Sequence, residues 1–171
     1  MKNRLLFLII FIILFILTSC SFIPSRLKFL ETKSDKEIAE SRVMEILEAL
    51  ENKDNEALKS MLSEEALSEA EDIDEGIKSF IDCYQGTHIK YEEGHSTGGS
   101  LKYGQRAEYY INSSVDVTTD VDIYRILFLD YTVCADNPKK VGLYRIQIVR
   151  IKDIVKDGFG WRKEAGIYAI N

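Results

Sequence analysis

The chain has 171 residues with 22 basic and 28 acidic side chains, a formal net charge of −6 and a pI near 5.1. Nucleic acid is a poor partner for such a surface, because binding it relies on basic groups that neutralise phosphates. The length suits one domain with a core of its own.

The first element is apolar. From Leu5 to Ser25 no residue carries a charge, over 21 residues, and crossing a bilayer takes about 20. Secretory signals instead have a basic start, a shorter apolar run and small residues before the cut. Lys2 and Arg4 supply the basic start, and Leu5 to Leu17 give 13 unbroken apolar residues. Leu17, Thr18, Ser19 and Cys20 follow. An uncleaved anchor helix would need polar Thr18, Ser19 and Ser21 inside its span, and would leave the cysteine without a role. The "LTSC" run resembles the lipobox of bacterial lipoproteins. That resemblance implies that Cys20 receives a diacylglycerol, that residues 1–19 are removed, and that the protein faces outward from the cell membrane on a lipid anchor. Two acyl chains hold a protein stably where one holds it marginally.

The mature chain would then have 152 residues, with 20 bases against 28 acids and a net charge of −8. Residues 20–33 read as the lipidated N-terminus and tether, and residues 34–171 as the domain. The tether reaches at most about 50 Å. Its Phe22, Ile23, Leu27, Phe29 and Leu30 suit contact with the membrane or the domain. Charge is uneven: Glu31 to Glu75 holds 16 acids and 5 bases, whereas Gly76 to Asn171 holds 12 and 13. Solvated faces of amphipathic helices explain this, and an acidic docking face for a basic partner is the sharper alternative.

Three helices come next. Ala39, Val43, Ile46, Leu47 and Leu50 recur at helical spacing after a cap at Ser34 or Asp35. Leu58, Met61 and Leu62 do the same in one element over 54–69, capped by Asp54. Ile73, Ile77, Phe80, Ile81 and Tyr84 make the third stripe, and Gly86 ends it in the left-handed conformation. From Thr87 the period becomes two. "THIKYEE" is a short strand, and "EGHSTGGSLKYG" reads as a mobile hairpin loop. "RAEYYINSSVDVT" puts Ala107, Tyr109, Ile111, Ser113, Val115 and Val117 on one face, and Arg106, Glu108, Asn112 and Asp116 on the other. "IYRILFLDYTVC", "LYRIQIVRIK" and "GWRKEAGIYAI" are three more strands, with turns at "ADNPKK" and "KDGFG". Helices first and strands afterwards predict an α+β domain: three N-terminal helices on a curved antiparallel sheet of about four to six strands. The polar set Arg106, Glu108 and Asn112 argues against a large obligate interface, and the domain is expected to be monomer-sized.

Helix order, the acidic first turn at "LEALENKDNEALKSMLSEEAL" and the last strand "GWRKEAGIYAI" resemble the nuclear transport factor 2-like, or cystatin-like, cone. In that fold a bent sheet wraps around a long first helix. With the lipobox, the chain is similar to lipoproteins of low-GC Gram-positive bacteria that carry this cone and have no assigned reaction. The fold hosts enzymes, ligand binders and interaction modules, so it does not fix function. Some of its enzymes pair an aspartate base with a tyrosine donor. Asp130 and Tyr84 could be imagined in those roles, but the resemblance transfers no catalytic residue and sequence spacing alone does not bring the two together.

Site chemistry is sparse. His88, Glu92 and His95 read H-x3-E-x2-H, but a metal needs three or four converging ligands, and two solvated histidines are the simpler account. Asp116, Asp120 and Asp122 lack the glycine and terminal glutamate of a calcium loop. The glycine-rich run lacks the Gly-Lys-Ser/Thr ending of a phosphate loop. No metal, cofactor or catalytic residue is assigned. Tyr84, Tyr109 and Tyr144 are candidates to face a cavity, and Ser113 is the small polar member of Tyr109's row. Cys83 and Cys134 form a disulfide or stay free, buried and small. The expected role is a lipid-anchored extracytoplasmic binding module for a small ligand or an envelope protein. The alternatives are a small hydrolase or isomerase and a structural partner of a membrane complex.

Overall fold

The computed structural model describes residues 34–70, 72–157 and 164–170; Cys20, the rest of the signal and tether, and Trp161 lie outside them. From Asp35 onward the chain forms one compact unit. Its order is α1 (Asp35–Asn52), α2 (Asn55–Met61), α3 (Glu64–Glu69), α4 (Ile73–Cys83), β1 (His88–Lys102), β2 (Gln105–Thr119), β3 (Ile123–Cys134), a 3-10 turn (Pro138–Lys140), β4 (Gly142–Arg150), α5 (Ile151–Asp157) and β5 (Gly166–Ile170). The domain is α+β, with one open sheet in the order β1-β2-β3-β4-β5. Among the described residues no helix is long and apolar enough to cross a membrane.

The helices follow their stripes and caps. Ala39, Val43, Ile46, Leu47 and Leu50 of α1 are buried. Lys53 ends α1 at φ 52°, while Asp54 N–H bonds to Ala49 O and Lys53 N–H to Leu50 O. This double bond pattern satisfies the last carbonyls of a helix. Asp54 then accepts from Ala57 N and starts α2. The single element expected over 54–69 is two helices. The break is at Ser63, whose backbone N–H bonds to Leu143 O at 2.9 Å and whose hydroxyl caps α3 through Ala66 N. Asp72 caps α4 through Glu75 N. Helix α4 ends at Cys83, before Gly86. Gly86 is left-handed (φ 85°), and it turns the chain beneath Asp120, where a Cβ would lie 2.2 Å from the carboxylate.

The glycine-rich run is not a loop. Strand β1 continues through it to Lys102, and the turn is only Tyr103–Gly104, both at positive φ. That is the geometry whose twist matches a two-residue hairpin. Gly99 permits the pairing, since a Cβ there would lie 2.1 Å from Glu108 O. Strands β1 to β4 pair antiparallel. The last pair does not: β5 runs parallel to β4, so the wholly antiparallel expectation fails there. Parallel neighbours need a crossover. The segment expected to extend β4 supplies part of it, because Ile151 and Lys152 begin α5.

One sheet face takes the helices. Val115, Val117, Tyr124, Ile126, Phe128, Ile146, Ile148 and Ile167 pack against Val43, Ile46, Leu47, Leu50, Leu58, Ile77 and Phe80. Each large apolar side chain buried there contributes about 1.5–3 kcal/mol. Helix α4 meets β5 at Gly76, where a Cβ would lie 2.9 Å from Ile167 O.

Candidate functional site

The helix-facing side of the sheet is where a cone would hold a ligand. Under α1 it is closed: the gap among Val43, Ile46, Leu47, Val115, Ile126 and Phe128 is too narrow to admit a water molecule. Two polar clusters interrupt this face. Asp130, 2 % exposed, accepts from Arg42 Nε at 2.7 Å, and Arg42 also reaches Glu45. Nearer the sheet edge the Glu93 carboxylate sits 3.3 Å from Ser113 Oγ and 3.5 Å from His95 Nδ1. Ser113 is buried and donates to Glu93, so its hydroxyl is engaged in a cluster on this face.

The other sequence candidates separate. Tyr84 is buried against Tyr124, with ring centroids 5.1 Å apart, and its hydroxyl has no hydrogen-bond partner among the described residues. Burial pushes its pKa up. Asp130 lies six residues along β3 from Tyr124, about 20 Å away, so the Asp130–Tyr84 pairing does not form. Tyr109 is half-buried beneath the Arg106 guanidinium, 4.1 Å from its ring centroid. Tyr144 packs edge-on against Tyr131 beneath Lys140. His88 and His95 do not converge with Glu92. His88 Nδ1 is 2.6 Å from Glu51, whereas Glu92 pairs with Lys90 on the opposite face from Glu93 and His95. Asp116 binds Arg125 through two hydrogen bonds, Asp120 accepts from Thr87 N, and Asp122 pairs with Lys152. Each acid of that run thus has its own structural partner. Cys83 and Cys134 are both free thiols. Cys83 adjoins Tyr84 near the start of β3, and Cys134 ends that strand. A disulfide needs Cα atoms within about 7 Å.

Two concavities remain. On the outer sheet face Gly94 opposes Ser114, which opposes Leu127, and Ser96 opposes Asn112. These five residues, with His95 and Ser113 between them on the same strands, line an open hollow of about 460 Å3. Gly94 makes the hollow by lacking a side chain: a Cβ there would meet only Ser114 O, at 4.0 Å. The second concavity, about 800 Å3, runs between α4 and β5 and carries Glu69, Asp72, Glu75 and Glu164 beside Gly76 and Ile167.

Sequence reasoning missed Arg42, Glu93 and Gly94. Glu93 and His95 share a face only if β1 is a strand through its glycines. Reading that run as a loop hid the pair.

Comparison with known families now places the chain. The model of a domain of unknown function (DUF5104) matches residues 45–155. The chain belongs to the DUF5104 family. The DUF5104 match spans all of β1 to β4, and so includes the hollow, Glu93, His95, Ser113 and Asp130; Arg42 and β5 lie outside it. No curated protein matches this DUF5104 chain.

Proposed function

We propose that this DUF5104 protein is a lipid-anchored binding module on the outer face of the cell membrane, built on a nuclear transport factor 2-like domain. The hollow on the outer sheet face carries the reading. It is an open site of about 460 Å3 with a few polar groups, within the size range of small-molecule sites. The anchor rests on the likeness of Leu17–Cys20 to a lipobox. Diacylglycerol on Cys20 would hold the module at the membrane surface. The test is a thermal-shift screen of cell-envelope metabolites against the wild type and Gly94→Val, which puts a branched side chain into the hollow. A ligand that raises the midpoint of the wild type alone supports the reading. Ligands acting equally on both proteins would remove it.

The acidic groove favours a second reading, a structural partner of a membrane complex. Four carboxylates line it, and such a field attracts a basic segment of another protein. Crosslinking from native membranes tests this: a specific partner lost on Glu69→Lys and Glu75→Lys would favour it over the ligand reading.

A further inference from the structure

The geometry points to a neutral, hydroxyl-rich ligand in the outer-face hollow: a short carbohydrate chain. This inference rests on the reading of the hollow as the binding site. Asn112 offers a carbonyl acceptor and two N–H donors, and Ser96 and Ser114 each offer a hydroxyl that donates and accepts. None of the three side chains has a hydrogen-bond partner among the described residues. They line the same hollow as Gly94.

Charge argues against an ionic ligand. Buried or half-buried charges need a counter-charge, and the nearest ones here are already matched. Asp116 and Arg125 neutralise each other in the neighbouring row, as do Glu92 and Lys90. Among the described residues that line the hollow, none is an acid, a lysine or an arginine. Extended peptides bind by pairing with backbone groups at a strand edge. Strand β1 is an edge of the sheet, so a peptide is the competing occupant and tetra-alanine is its probe.

The ends of the hollow suit a sugar. Leu127 gives it an apolar side. Beyond Ser96 and Asn112 the next row holds Gly98 and Tyr110. The Tyr110 ring lies over Gly98, where a Cβ would be 2.4 Å from its hydroxyl, and against Tyr131 at 5.3 Å between centroids. That packing fixes the Tyr110 ring in the row next to the one that lines the hollow.

The experiment titrates the full chain, in a sugar-free detergent, with chitotetraose, cellotetraose and maltotetraose, using tetra-alanine as comparator and calorimetry as readout. Saturable binding of at least one sugar is expected, weakened about tenfold by Asn112→Ala through a lost hydrogen bond. Gly94→Val should abolish it while keeping the thermal midpoint. Binding of no sugar, equal binding of tetra-alanine, or sugar binding unchanged by Gly94→Val would overturn the inference. The metabolite screen separates the two failures. A non-carbohydrate hit lost in Gly94→Val removes the ligand class and keeps the site; no hit sensitive to that change removes both.

Discussion

Arg42 is the counter-charge of a carboxylate that water hardly reaches. Its side chain is 22 % exposed and that of Asp130 3 %. Removing one partner of such a pair leaves the other buried and uncompensated, which typically costs about 3–5 kcal/mol. Arg42→Ala should therefore lower unfolding free energy by about 3 kcal/mol in urea titration, and Arg42→Ala with Asp130→Leu should recover much of that. A loss no larger than that of an exposed surface pair would show that water reaches Asp130. Glu51 gives a second test. The backbone N–H of His88, followed by its side chain, holds the Glu51 carboxyl below its ordinary pKa of 4.5. A depressed folded pKa contributes stability above the unfolded value, and this contribution is lost as pH falls through the folded value. Glu51→Gln should thus be less stable than wild type at neutral pH. Its urea midpoint should also fall less steeply below about pH 4.5. Parallel acid limbs for the two proteins would contradict the assignment.

At the scale of elements, the helices α1 and α4 were legible, whereas the split at Ser63, the helix α5 and half of one hairpin were not. The stripe from Ala39 to Leu50 and the caps at Asp54 and Asp72 are local signals, and each sits where its chemistry requires. Strand β1 lost its signal from Gly94 onward because glycines carry no apolar alternation, and the strand is mostly exposed. The parallel placement of β5 was invisible for a different reason. Pairing direction depends on the path of the crossover through α5, not on the five residues themselves. The hollow was hidden because it arises from register, with Gly94 opposite Ser114 and Ser96 opposite Asn112. The glycines also differ from one another. Gly99 faces backbone at 2.1 Å, whereas Gly94 faces open space. Gly99→Ala should destabilise the protein by about 1–3 kcal/mol, as overpacking does. Gly94→Ala should change the urea midpoint little. Equal effects would mean that the β1–β2 pairing around Gly99 yields freely.

For the whole molecule the first question is attachment. If the lipobox reading holds, labelled fatty acid should enter the protein in its native host and be absent from Cys20→Ala, with the variant released from membranes; label retained by the variant would end the lipoprotein reading. A second whole-molecule property follows from how β5 is held. Strands β1 to β4 form successive hairpins, which close short loops. By contrast β5 joins through a crossover and docks against α4 at Gly76, far away in sequence. Closing long loops costs more chain entropy and slows folding. The topology therefore predicts an order of assembly, with the four-strand meander formed first and β5 joined to the helices late. Opening should run in reverse. Amide hydrogen exchange is expected to be fastest, among the strand segments facing the core, at Ile167 to Ala169, under conditions where β3 remains protected. The contact that joins the two ends of the domain is then also its first point of release.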